Sequence, residues 1–188
     1  MNNRRVSVRL KLWCDERPSN GKQRVAENLE QLYARHRQGL FTVALSITRC
    51  AARAEDAVHD AFVRMCRVGA DRATAAHDPV AYAYAAVRNA AIDQQRRART
   101  QAVAVESIFN GVHPAPADRG ALDDERERFV AAAIDGLPDD QREAVVLRVY
   151  AQLSFAQIAV VLDAPLPTVA TRYRRALERL RERLGRLV

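Results

Sequence analysis

The stretch Leu153-Ser-Phe-Ala-Gln157-Ile-Ala159-Val-Val-Leu-Asp163-Ala-Pro165-Leu-Pro167-Thr-Val169-Ala-Thr-Arg172 decides the fold of this chain. Ser154 and Gln157 have the spacing of a capping box. The serine hydroxyl takes one orphan helix N–H, and the glutamine reaches back to the serine's own N–H. Ala159 is small where two helices must cross closely. Asp163 follows at the turn, and Val169 sits where it packs a second helix back on the first. This is the physical requirement of a helix-turn-helix. The turn residue must tolerate positive φ, which glycine does best and aspartate better than most others. Pro165 and Pro167 fix the chain at the mouth of the second helix, where a missing N–H costs nothing. In such a motif the first turns of the second helix meet base edges, while flanking arginines and backbone N–H groups hold phosphates. Thr168, Ala170, Thr171, Arg172 and Arg174 are positioned for that work. A plain αα-hairpin is the alternative, but it leaves the arginines behind the turn unexplained.

Charge is segregated around the motif. From Asp123 to Glu143 there are eight acids against three arginines; from Arg172 to Val188 there are seven arginines against two glutamates. An evenly solvated bundle has no need of that sorting, whereas an anion-binding end does. The terminal helix carries Val169, Tyr173, Ala176, Leu177, Leu180, Leu184 and Leu187 on one stripe and arginines on its other faces. Upstream, Phe129, Val130, Ala133, Ile134 and Leu137 stripe a helix ended by Gly136 and Pro138, and Asp139 or Asp140 is expected to cap the next.

Across all 188 residues, 30 Lys+Arg face 23 Asp+Glu, for a formal charge of +7. Lys11 and Lys22 are the only lysines, and arginine forks suit phosphate and guanine edges. A GC-rich coding sequence produces the same bias, so composition alone decides little. Apolar residues make up 48%, enough for a core. No apolar run reaches a membrane span, so no membrane insertion is expected. The basic start lacks the apolar core of a secretory signal. Cys14, Cys50 and Cys66 are widely spaced, which argues against a disulfide framework or structural zinc and for the reducing cytosol.

The reading is all-α: two small helical domains on a flexible linker. Residues 1–27 form a basic N-terminal arm, 28–99 the first domain, 100–121 the linker and 122–188 the helix-turn-helix domain. The linker holds Asn110-Gly111, Pro114 and Pro116 with no clear period. A structureless run of that length is unusual inside one compact domain. In the first domain, Leu29, Leu32, Tyr33, Leu40, Ala44 and Ile47 stripe one helix, with Gly39 an intruder in it. Ala54, Ala57, Val58, Ala61, Phe62 and Met65 stripe the next at regular helical spacing. A third helix begins at Pro79 and reaches Arg97. Its Asn89, Asp93, Arg96 and Arg97 share a polar face, either a solvated surface or a base-reading one. Glu55, Asp56 and Asp60 form an acidic face unsuited to DNA, so it turns to water or to a basic protein.

These residues carry a resemblance. Ala54-Glu-Asp-Ala-Val-His-Asp-Ala-Phe-Val-Arg64, followed by Asp78-Pro-Val-Ala-Tyr-Ala-Tyr-Ala-Ala-Val-Arg-Asn-Ala-Ala-Ile-Asp-Gln-Gln-Arg-Arg97, resembles region 2 of bacterial RNA polymerase sigma factors. Leu137-Pro-Asp-Asp-Gln-Arg-Glu-Ala-Val-Val-Leu-Arg148, Leu153-Ser-Phe-Ala-Gln-Ile-Ala159 and Pro167-Thr-Val-Ala-Thr-Arg172 resemble region 4. Their order, spacing and short total length are similar to the extracytoplasmic-function group of the sigma-70 family. The resemblance implies a subunit that joins core RNA polymerase and directs it to promoter DNA. Glu55, Asp56 and Asp60 would dock on the β′ clamp helices, with the β flap a second polymerase contact. Arg72, His77 and Asn89, with Arg88, Arg96 and Arg97 on the backbone, would serve the −10 element. The Thr168–Arg175 face, Arg175 included, would read the −35 element as duplex.

Three departures from the family pattern stand out. Asp163 replaces the usual glycine, Pro167 and Ala170 alter the start of the recognition helix, and Tyr82 and Tyr84 stand with Ala83 where Trp and Leu are common. Aromatic stacking is expected to survive the last change. No catalytic loop, metal-ligand spacing or cofactor motif is present, so neither catalysis nor a metal or cofactor is expected. The final helix ends near Val188, which leaves no C-terminal sensing domain. That points to control by a separate anti-sigma protein or by expression level. A free-standing helix-turn-helix regulator is the alternative, and it would leave the acidic helix and the Asn89 face without a job.

Overall fold

The computed structural model describes residues 20–68, 78–106 and 125–185, with side chains over 29–67, 78–101 and 129–185. Among the described residues there are seven helices and no strand. Helices α1 (Asn20–Thr48), α2 (Ala51–Val68) and α3 (Pro79–Glu106) form the first bundle. The stripes read from sequence are its core: Leu40, Ala44, Ala54, Ala57, Phe62, Ala81 and Val87 are fully buried. Most of these are alanine, so the helices approach closely and the few large side chains fill what remains. Phe62 meets Tyr33 edge-on with ring centroids 5.2 Å apart. α1 stops where Arg49 takes positive φ and the Thr48 hydroxyl donates back to the Ala44 carbonyl at 3.0 Å. α3 starts under Asp78, whose Oδ1 accepts from the N–H groups of Val80 and Ala81, both at 3.0 Å.

Helices α4 (Glu125–Asp135), α5 (Asp139–Val149), α6 (Phe155–Leu162) and α7 (Leu166–Leu184) make the second part. Ala133, Leu137, Val145, Ala176 and Leu180 hold α4, α5 and α7 together. Arg142 is buried at the α4–α5 corner, donating to the Leu137 carbonyl at 3.1 Å and pairing with Asp139. Arg183 reaches from α7 to the Ala133 carbonyl at 3.2 Å, and a Cβ at Gly136 would collide with its guanidinium.

The boundaries differ from the sequence reading in three places. α1 begins at Asn20, inside the segment expected to be an arm; residues 1–19 lie outside the described ones. α3 runs on to Glu106, into the expected linker, because Thr100-Gln-Ala-Val-Ala-Val-Glu106 holds no glycine or proline to stop it. The rest of the linker, with Asn110, Gly111, Pro114 and Pro116, is outside the described residues. Neither Asp139 nor Asp140 caps α5: Pro138 holds that position without a side-chain bond, and the two acids sit in the first turn. There they still favour the positive end of the helix dipole.

The two parts also share a core. Val146, Leu147, Ala151, Leu153, Ile158, Val161, Leu162 and Val169 join Leu40, Val43, Ile47, Tyr84, Val87 and Ala91 in one apolar cluster. Two polar links cross the same seam. Arg88 Nε donates to Glu143 Oε2 at 2.8 Å, and Gln157 Nε2 donates to Asp78 Oδ2 at 2.8 Å. Gly39 explains its own presence here. A Cβ at position 39 would run into the Tyr84 hydroxyl and come within 3.2 Å of Ala151 Cα.

Gly39→Ala is therefore expected to destabilise the chain by about 1–3 kcal/mol. Adding Tyr84→Phe should recover part of that loss in urea melts; no recovery would mean that the hydroxyl is not the obstacle. A second outcome concerns pH. His36 packs edge-on against Tyr84 at 5.9 Å, and burial, then the Arg35 charge, lowers its pKa below the ordinary 6.5. The fold prefers the neutral imidazole, so this contribution is intact above pH 6.5 and is lost as pH falls through the lowered value. His36→Phe should flatten the midpoint-against-pH curve in that acid window.

Candidate nucleic-acid interface

The α6–turn–α7 unit is built as its sequence requires. Ser154 Oγ accepts from the Gln157 N–H at 3.2 Å and Gln157 Oε1 accepts from the Ser154 N–H at 2.8 Å, which completes the capping box. Asp163 ends α6 in the left-handed region, at φ 49° and ψ 51°. The next N–H, of Ala164, closes on the Ala159 carbonyl at 3.0 Å. Pro165 caps α7, its carbonyl accepting from Thr168 and Val169, and the Val169 side chain is fully buried. Each of these bonds fixes how α7 leaves the core, and so which of its faces meets solvent.

On that outer face, Thr168, Arg174 and Arg175 are exposed, and Ala170, Thr171 and Arg172 are half-buried. The Thr171 hydroxyl donates to the Pro167 carbonyl at 2.8 Å, so its oxygen faces outward as an acceptor only. Arg174 lies 3.9 Å from Glu178 on its own helix. Arg172 Nε lies 3.4 Å from Asp140 Oδ2, on α5. A cleft of about 420 Å³ separates Asp140 and Gln141 from Pro167, Thr168, Thr171, Arg172 and Arg175. The helix axis is steadied from behind by Phe155, edge-on to Tyr173 at 5.5 Å and covered by the Arg148 guanidinium at 5.3 Å.

A second surface lies on α2 and α3. Glu55 and Asp56 are exposed, whereas Asp60 is half-buried and accepts from Gln94 Nε2 at 3.3 Å. On α3, Asn89, Arg96 and Arg97 are exposed. Asp93 sits 3.9 Å from Arg64. Arg88 is spent on Glu143 across the seam, at 22% side-chain exposure, rather than standing with them. Arg72 and His77 lie outside the described residues. Tyr84 does not offer the stacking expected of it. It is 1% exposed, and burial pushes its hydroxyl up to about 12, because the ring fills the bundle beside Gly39. Tyr82 is half-buried against Leu29, Met65 and Ala83.

Sequence reasoning missed Asp140 and Glu143 as partners of the basic residues Arg172 and Arg88. The block of acids before Glu143 was the available signal. Their pairing is set by tertiary packing, not by helical spacing. Among the described residues no cluster of His, Cys, Asp or Glu is arranged to hold a metal, and no helix is long and apolar enough to cross a membrane.

Comparison with known proteins matches both parts of the chain. Residues 32–101 match the family model of Sigma-70 region 2, and residues 130–180 match that of Sigma-70, region 4. The chain is 30% identical over 182 residues to the RNA polymerase sigma-H factor of Pseudomonas aeruginosa, covering 92% of this chain and 93% of that protein. It is 35% identical over 159 residues to the ECF RNA polymerase sigma factor SigM of Mycobacterium tuberculosis, covering 84% and 78%. Among solved structures it is similar to the sigma factor RpoE of Bartonella quintana, crystallised with the anti-sigma factor NepR. That match has a TM-score of 0.60 and 25% identity, over 87% of this chain and 96% of that one. CnrH, solved with the cytosolic domain of CnrY, shares the fold at a TM-score of 0.57 and 22% identity, over 96% and 95%.

The turn yields a direct measurement. Asp163→Val should cost about 1–2 kcal/mol, the penalty of a branched side chain at positive φ. Asp163→Gly should be neutral or mildly stabilising in the same denaturant titration. Equal destabilisation by both would mean that the aspartate side chain, not its φ, matters.

Proposed function

This chain belongs to the extracytoplasmic-function group of the sigma-70 family and is a sigma factor directing promoter recognition and transcription initiation, and we propose that it divides that work between its two surfaces. The helix-turn-helix reads the −35 element as duplex, with Thr168, Ala170, Thr171, Arg172, Arg174 and Arg175. The α3 face with Asn89, Arg96 and Arg97, together with Arg72 and His77, takes the −10 element, and the acids Glu55, Asp56 and Asp60 dock on the β′ clamp helices. The β flap meets the helix-turn-helix part. The observation that carries this reading is the orientation of α7. Val169 is fully buried, while Thr168, Arg174 and Arg175 on the same helix are exposed.

The two elements are 25 base pairs apart by name, about 85 Å of B-form duplex at about 3.4 Å per pair. A compact chain of this length has a radius of gyration of about 16 Å. The packed arrangement therefore cannot touch both elements at once. On the promoter the two parts separate, and Arg88 leaves Glu143 to join the −10 face. The factor contributes recognition, with no bond-making chemistry of its own, and acts in the cytoplasm where polymerase is. An anti-sigma protein that covers the polymerase-binding acids would control it, by analogy with the partners in the solved relatives.

The test is transcription with core polymerase on a promoter template. Glu55→Arg combined with Asp56→Arg, both exposed, should cut core association and specific transcript by at least tenfold while leaving the melting temperature unchanged. Intact association would overturn the docking assignment. A shift of promoter duplex by the pure chain at physiological salt, equal to that with polymerase, would favour the free-standing regulator instead.

A further inference from the structure

Arg172 differs from the other arginines described on its face because it is held from another helix. Its Nε approaches Asp140 Oδ2 at 3.4 Å, with the arginine side chain 32% and the aspartate 50% exposed. Arg174 is matched within α7 by Glu178, and Asp139, next to Asp140, turns to Arg142 within α5. Asp140 is thus an acid placed on a surface whose work is to meet a polyanion. Its solvation in the free chain needs no such placement.

The cleft between these helices has two unlike walls. The α5 wall supplies the Asp140 carboxylate as an acceptor, beside Gln141, which is only 7% exposed. On the α7 wall the Thr171 oxygen, its proton given to Pro167, adds a second acceptor. The same α7 wall supplies donors in Arg172, Arg175 and Thr168. A phosphate offers acceptors alone and is repelled by the carboxylate. A base-pair edge offers both kinds of group. With its Nε side facing Asp140, the guanidinium keeps its terminal edge for a bidentate contact. That edge fits the O6 and N7 of guanine, while a carboxylate accepts from the N4 amino group of cytosine.

We propose that Asp140 is a specificity-determining residue: it aims Arg172 at a guanine edge, accepts from cytosine, and bars phosphate from the cleft, so that a G·C pair is required at one position of the −35 element. The inference rests on the reading of α7 as the duplex-facing helix. Asp140 acts through Arg172 and through exclusion of phosphate, which weakens contact with unrelated sequence as much as it sharpens the chosen one.

The experiment uses the full chain with core polymerase, a promoter library randomised across the −35 element, and an unrelated duplex titrated with salt. Asp140→Asn should relax the G·C requirement at one position by about tenfold. It should also tighten binding to the unrelated duplex severalfold and steepen its salt dependence by about one released ion. Asp140→Glu should keep the preference. Unchanged base preferences in Asp140→Asn, or equal losses on cognate and unrelated duplex, would overturn the proposal. Arg172→Ala separates the two levels. If it leaves every −35 preference untouched, the duplex-reading role of α7 falls. If it shifts one preference and Asp140→Asn shifts none, only the role of Asp140 falls.

Discussion

Helix α1 reaches α3 and the end of α5 only because position 39 carries no side chain. At Gly39 the backbone of α1 lies against the Tyr84 hydroxyl and Ala151 Cα, a spot no Cβ can share. Tyr84 fills the gap between the two parts of the chain, and its neighbours Leu40, Val87 and Leu147 close around it. Alanines at the other crossings follow the same logic: they trade side-chain bulk for close backbone approach, and interiors packed that densely tolerate little change in volume. The seam, the placement of α6 and hence the aim of α7 all depend on that approach.

Electrostatics then sorts the surface that packing leaves. Acids on the outer face of α2, Glu55 and Asp56, and arginines on α7, Arg174 and Arg175, are exposed. The acids of α5 pair within the chain: Asp139 with Arg142, Asp140 with Arg172 and Glu143 with Arg88. The pairs differ in weight. Arg88–Glu143 is mostly shielded from water and holds the seam in register. The more exposed Asp140–Arg172 pair contributes little stability, as solvent-screened pairs do. Its proposed value is directional.

Much of this was legible in the residues alone. Helical stripes located the core because burial follows spacing, and the capping box and the positive φ at Asp163 were fixed by local chemistry. Both appear at the residues expected. The extension of α3 to Glu106 was missed because the change of composition was read as a boundary, although nothing in residues 100–106 breaks a helix. Tyr84 was read as a stacking ring because it stands where the resembled family commonly has Trp and Leu, yet its position on the helix turns it toward Gly39. The contacts of Arg88, Asp140 and Glu143 were beyond reach for a more basic reason. They join residues distant in the chain, and only the assembled packing decides which charge meets which.

A single hydrophobic cluster shared by both halves has one more consequence. If the two parts separate on the promoter as proposed, engagement of both elements begins with wetting of Ile158, Leu147 and their neighbours, and only the parted fraction of molecules is competent for it. The apparent affinity for any target that needs the parted form falls by that fraction. On that proposal the seam sets a threshold independent of DNA, and a surface that covers the apolar faces as they part would lower it.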